Sequence, residues 1–470
     1  MRHDATVVVG GALVAWGMFV TPTSAGDACR VRNVDYEGWQ CVELSNGRID
    51  VVVAPQLGGR IIQLRLGEAE YLWVNPKLAG EVVSYATGKI ANAATQAKKP
   101  PDWANYGGDK LWPAPQGFER PDQWPGPPDP VYKGGVVDNG AYELEILSAG
   151  PAETAVRLTS PQDLYAGIRF IREIRVRPRT STVELTATMV NVVDRPVRWG
   201  IWQVTQHAGH VKKKGGPIAW DPRRADVQAW SPLNPTSRYP KGYYVMFGPK
   251  DNPQFSVDAS VASSASVRLF RLGYRYRVGK VGSDNVAGWL AVTHQASGYL
   301  YAHTFPPEPN QEHPDGASVE FWASGPGQIE LADKTVKMAS DEPLLIESEV
   351  LSPFARLRPG QQFSYATRLH LARGTGPVIA VTDAGAELRP IRRCPTHGCM
   401  GQLAVFCDGR LQIVSRSGKR RVPHIDVRAG ELIDLAKLPG VTDVRAGDTV
   451  RLVDPDGRQL GKWRIRAQNP

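Results

Sequence analysis

Two glutamates, Glu347 and Glu349, stand two residues apart in the strand-like run from Leu344 to Leu351. On a strand both point to one face, while Ile346, Ser348 and Val350 point to the other. Carboxylates sharing a face repel, and that repulsion lifts one of them toward the general-acid range. The same pattern also describes a plain solvated strand face. Glu320, between Val319 and Phe321, is a third carboxylate with the same two readings. His207 ends a tryptophan-rich run, with His210 three residues on. Its imidazole can give a proton to a substrate or bind a sugar, or it can be a strand-end histidine satisfied by backbone. A metal held by His207 and His210 lacks a nearby third ligand, so no metal is expected. Arg60, Asn105, Asp109, Lys110 and Gln116 offer donors and acceptors beside Trp112 and Trp124. Sugars are bound by that combination, aromatic faces against C–H surfaces and polar side chains against hydroxyls. Each of these residues alone also fits a structural ion pair or core packing. Lys110, if desolvated, can instead act as a lyase-like base, and Tyr301 and His303 alternate on a strand that could join the site.

The frame that must position these groups is β-sheet. Gly and Pro number 47 and 38, and runs of Val, Ile, Thr, Tyr and Trp recur between them, a strand-and-turn composition. Cys41 to Val53 reads as two strands joined at Asn46-Gly47, a strong hairpin signal. Leu57-Gly58-Gly59-Arg60 is a second turn, leading into a strand from Ile61 to Leu66. From Lys77 to about Tyr142 periodicity fades and Pro, Gly, Trp and Asn dominate. An insertion of that length in a β domain is usually functional, and Trp103, Trp112 and Trp124 predict an ordered loop packed over something. Regular alternation resumes at Tyr142 and runs to Ala372. Arg373 to Pro377 reads as a linker, followed by a small β-rich module whose one helical stretch spans Glu431 to Lys437. At 470 residues, two domains or one very large one are expected.

The run Asn105-Tyr106-Gly107-Gly108-Asp109-Lys110-Leu111-Trp112-Pro113-Ala114-Pro115-Gln116 resembles a family of uncharacterised secreted proteins related to galactose mutarotase and aldose 1-epimerase. Gly58-Gly59-Arg60-Ile61 precedes it; Trp199 to His207, Glu347 to Pro353 and Leu357-Arg-Pro-Gly360 follow in the family's order. The resemblance covers about Cys29 to Ala372. It implies an antiparallel β-supersandwich, galactose mutarotase-like, whose concave face holds a carbohydrate. It also implies that His207 protonates the ring oxygen while Glu347 or Glu349 takes the anomeric hydroxyl proton, a demand for two groups across one bond. The sequence departs from the epimerases at their earlier catalytic histidine: Gln123 to Pro130 holds none, and no histidine lies between Asp4 and Gln206. Two functions therefore stand: an epimerase-like enzyme, and a non-catalytic glycan-binding or envelope-polymer-binding protein.

Residues 1–25 read as a secretory signal, with Arg2, an apolar run from Ala5 to Val20 and small residues before Gly26. The run is shorter than the roughly 20 residues a membrane span needs, so no stable insertion is expected after cleavage, and a periplasmic or secreted location is. Export suits disulfides, one between Cys29 and Cys41 and one among Cys394, Cys399 and Cys407; a metal knuckle at Cys394-Pro-Thr-His397-Gly-Cys399 is the rival reading. The expected domains are 29–372, the supersandwich, and 379–470, the small β-rich module. From Ile379 onward 16 Lys and Arg face 10 Asp and Glu, enough basic surface for an acidic polymer or simply for solubility. No Walker loop, Rossmann fingerprint, zincin motif or nucleophile elbow is present, so no cofactor is expected, and no nucleic acid.

Overall fold

The computed structural model describes residues 28–84, 89–91, 103–117, 122–126, 136–213, 226–258, 268–330, 335–394, 398–420, 424–438 and 444–467. Residues 1–25, where a secretory signal is expected, lie outside the described residues, as does His397.

Two antiparallel sheets, of twelve and ten strands, face each other. The twelve-stranded sheet begins with the meander Arg30–Tyr36, Trp39–Ser45, Ile49–Ala54, Arg60–Leu66 and Ala69–Leu72. It continues through Val197–Lys213, Leu345–Leu351, Val319–Ala323 and Gly279–Ser283 to Tyr244–Phe247. Asp109–Ala114 pairs with Val197–Lys213, so the glycine-rich loop delivers its strand to the middle of this sheet. The strands of the opposing sheet show why the chain folds this way. Ile168–Val176 alternates buried and half-buried residues along its whole length, the period of a strand with one face in a core. That core is shared: Leu44, Val51, Ile61 and Ile201 of one sheet pack with Phe170, Met189, Leu290 and Leu369 of the other. The architecture is a large antiparallel β-sandwich, as the sequence predicts.

The Asn46-Gly47 turn forms as expected. Gly47 takes a φ of 78°, and the Asn46 side chain accepts from the Arg48 and Ile49 amides at 2.9 and 3.0 Å. The last ninety or so residues form two four-stranded sheets around their own core of Leu403, Val405, Leu411, Leu452 and Trp463. The 373–377 segment is no loose linker. Arg373 and Gly374 amides donate to Gly430 and Gly298, and Trp230, Trp289, Leu388 and Phe406 make one apolar cluster bridging sandwich and module. On the outward face of the module, Arg451 stands across from Lys462, and Arg464 lies one pleat further along.

Two expectations are corrected. The helix at 431–437 is a strand, Leu432–Asp434, followed by one 3-10 turn, Leu435–Lys437, capped by the Asp434 carboxylate. None of the five cysteines forms a disulfide. Register explains the first pair: Arg30 lies opposite Ser45 while Cys41 lies opposite Val34, which sets Cys29 about five residues, on the order of 17 Å, along the ladder from Cys41. Cys399 pairs across with Arg393, so it and Cys394 point to opposite faces of their hairpin.

Candidate functional site

Residues directly opposite in a sheet share a face, so the register alone assembles the site. Trp202 stands across from Trp112, and Val204 stands between Lys110 and Glu349. Gln206 faces Glu347, Glu349 faces Glu320, and Trp322 stands between Glu347 and Lys280. All these side chains therefore lie on the outer face of the twelve-stranded sheet. A cavity of about 230 Å³ opens there, walled by Trp103, Trp112, Trp202, Trp322 and Phe247, with Asn105, Gln116, Gln206, Lys280 and Glu347 supplying its polar groups.

The charges on this face are buried and mostly paired. Lys280 Nζ lies 2.7 Å from Glu320 Oε2 and 3.0 Å from Glu349 Oε2, and 4.5 Å over the Trp202 ring. Trp202 Nε1 donates to the same Glu349 oxygen at 2.8 Å. Burial works against the Lys280 ammonium, but the two carboxylates outweigh it and raise its pKa above the ordinary value. Burial pushes Glu320 up to about 8; Lys280 opposes that shift and Glu349 adds to it. Burial also raises Glu347, which Lys110 opposes and Glu349 reinforces; its Oε1 accepts from Gln206 Nε2. A carboxyl poised nearer neutrality can exchange protons with a ligand hydroxyl.

Lys110 is different. It is fully buried, its Nζ has no hydrogen-bond partner, and it lies 4.0 and 4.8 Å from the ring centres of Trp112 and Trp103. Burial lowers its pKa to about 8 against the pull of Asp138 and Glu347.

Behind the tryptophans sits Asp138, on the short helix Val136–Asn139. Its carboxylate accepts from Trp103 Nε1 at 2.9 Å, Trp112 Nε1 at 2.8 Å and Arg60 Nη2 at 3.0 Å. Arg60 also donates to the Leu57, Gly107 and Asp138 carbonyls. It is thus a fully buried brace of the wall and does not reach the cavity. The loop it braces runs tight against the sheet: Gly107 holds a φ of 93°, and a Cβ there would fall 2.1 Å from the Trp73 carbonyl oxygen. Asn105 is half-buried in the wall, Gln116 is exposed at the rim, and Trp124 packs behind Trp112 at 5.3 Å.

Two expected site residues take the opposite face. Asp109 and His207 point between the sheets because their strand parity is odd where Lys110 and Gln206 are even. Asp109 binds Arg172 and accepts from Gln203 and Thr205. His207 is fully buried, with Nε2 2.7 Å from Ser348 Oγ and its ring 4.6 Å from that of Tyr301. Burial and the neighbouring His294 and His303 hold its pKa well below the ordinary value, so it is neutral. Tyr301 and His303 share this interior layer, where burial pushes His303 down to about 4. The expected pairing of His207 with Glu347 or Glu349 is therefore not made. The side chain of His210 lies outside the described ones.

The structure adds Trp103, Asp138, Trp202, Gln206, Lys280 and Trp322 to the site. Parity could have found Trp202 and Gln206, which alternate with His207 in the same run. A larger open cleft of about 1180 Å³ lies elsewhere, where Arg198 pairs with Glu312 at 2.7 Å and Asp284 accepts from Ser237 Oγ at 2.6 Å. The smaller cavity holds Glu347, a carboxyl whose pKa is raised by burial, among four indoles.

Comparisons with protein-family models and with curated proteins give no match. Similar solved structures include a galactose mutarotase-like protein from Clostridium acetobutylicum, with a TM-score of 0.43, 9% identity, and 74% of this chain and 99% of that one covered. A galactose mutarotase related enzyme from Lactobacillus acidophilus gives 0.37 and 11%, covering 71% and 98%. A TPR-domain containing protein from Parabacteroides distasonis gives 0.41 and 12%, covering 71% and 47%, so this chain spans about half of its length. The two mutarotase-like neighbours are β-sandwich folds.

Proposed function

We propose that the protein binds a sugar in the tryptophan-walled cavity on the outer face of the twelve-stranded sheet, with Glu347 exchanging a proton with the bound hydroxyl. One observation carries this reading. Four indole faces close on a space whose polar groups include three amides, an ammonium and a carboxyl of raised pKa. Apolar walls with a few convergent polar groups suit a ring with C–H faces and a hydroxyl edge. A non-catalytic variant of the same reading is favoured by the cavity lining, where the described residues include no histidine to serve as the second proton carrier.

Titration of tryptophan fluorescence with neutral hexoses, pentoses and uronic acids tests binding, and NMR of anomer exchange tests turnover. Binding is expected to fall at least tenfold in Trp202→Ala, which removes a cavity wall, an order of magnitude for about 1.4 kcal/mol of lost contact. Anomer exchange in the wild type, abolished in Glu347→Gln with binding kept, establishes the enzymatic form. Binding without exchange in the wild type establishes the non-catalytic form. No fluorescence response to any of these sugars sinks both.

A further inference from the structure

Two lysines share the outer face of the large sheet, and the fold treats them oppositely. Lys280 is clasped by Glu320 and Glu349 and kept charged. Lys110 has no hydrogen-bond partner at all, although it is equally buried. Its amine lies against the two indoles, Trp103 and Trp112, that also wall the cavity. The two indole faces attract an ammonium, but the site offers it no hydrogen-bond acceptor, and burial moves the balance toward the neutral amine, which is the nucleophilic form.

We infer that Lys110 is a carbonyl-capturing nucleophile that condenses with the open-chain aldehyde of the cavity's sugar to form a Schiff base. The inference rests on the sugar reading above. The half-exposed Trp103 stands between the amine and solvent, so capture requires that indole to turn aside, giving up its Nε1 hydrogen bond to Asp138. The nitrogen lone pair attacks the carbonyl carbon, a C–N bond forms, and the carbonyl oxygen takes a proton to give a carbinolamine. The nitrogen then passes a proton to the new hydroxyl, the C–O bond breaks with departure of water, and a protonated C=N bond remains. No oxidant or reductant is consumed. Glu347, whose carboxyl opposes the fall in the Lys110 pKa, is the group that passes the proton.

The full chain is incubated with D-galactose and sodium cyanoborohydride, which reduces an imine to a stable secondary amine, and the modified peptides are mapped by mass spectrometry. Pentane-2,4-dione, which forms an ultraviolet-absorbing enaminone with unprotonated lysines, is used in parallel. At pH 7 an amine titrating near 8 is about 300-fold more unprotonated than one at the ordinary 10.5, so the diketone should mark Lys110 ahead of surface lysines. Lys110→Arg keeps the positive charge but cannot form the imine, and both labels should vanish from that peptide. If galactose alters the fluorescence but Lys110 stays unlabelled by either reagent, the nucleophile is refuted and the sugar reading stands. If the diketone marks Lys110 while no sugar alters fluorescence or is trapped, the amine is reactive but the sugar Schiff base is refuted together with the sugar reading. Labels spread evenly over the lysines and unchanged in Lys110→Arg refute the inference as well.

Discussion

Replacing Glu320 by glutamine should make the protein's stability less sensitive to pH, and the size of the effect follows from the site. Glu320 is fully buried, and its carboxyl is pushed up to about 8 from an ordinary 4.5. The folded protein therefore holds a proton that the unfolded chain has already released above pH 4.5. Its stabilising contribution is complete below that value, declines as pH rises, and is lost by about pH 8. Each unit corresponds to about 1.4 kcal/mol, so from pH 5.5 to 7.5 the wild type should lose roughly 3 kcal/mol relative to Glu320→Gln. That figure is a ceiling, because the Lys280 ammonium 2.7 Å away favours the ionised carboxyl and opposes the shift. Glutamine resembles the protonated carboxyl and keeps an oxygen for Lys280, so the two proteins should nearly match at pH 5.5. Urea unfolding of both at three pH values across this window measures the difference. A stability gap that stays constant with pH would mean that Glu320 is ionised throughout, and the reasoning from burial would be refuted.

Two other substitutions separate wall from core. Asp138→Ala removes the acceptor shared by Arg60, Trp103 and Trp112 and leaves a buried guanidinium uncompensated; it should cost about 3–5 kcal/mol and shift tryptophan emission to the red. Unfolding with an unchanged midpoint would show that the carboxylate is not the clamp. His207→Ala deletes a packed interior ring and its bond to Ser348, and should cost about 2–4 kcal/mol while leaving sugar affinity within about twofold. Loss of binding or turnover in a variant of unchanged stability would return His207 to the site.

Legibility in the sequence followed physical range. Alternation over nine residues in Ile168–Val176 and the Asn46-Gly47 turn are local, and strand and hairpin were readable from them. The two faces of a strand are also local, and that is why Glu347 and Glu349 were placed together correctly. The resemblance misleads where parity corrects it: His207 matches the epimerases' strand-borne histidine, yet it takes the face opposite to Trp202 and Gln206, which line the cavity. What could not be read is register between distant strands. Lys280 lies 69 residues from Glu349 and meets it only because Gly279–Ser283 and Leu345–Leu351 flank the same central strand, Val319–Ala323. The same limit applies to Asp138, whose role depends on a one-turn helix landing behind Trp112 across a segment with little periodicity. It applies to the cysteines too. Cys29 and Cys41 are near in sequence, but a ladder running from Arg30↔Ser45 to Tyr36↔Trp39 holds them apart. Sequence proximity is thus a weak guide to contact in this fold, whereas parity within a strand is a strong one. The site is best understood as the even-numbered face of Val197–Lys213 extended sideways through its neighbours: parity within that strand yields Trp202 and Gln206, and only register sets Lys110, Glu347 and Glu349 beside them.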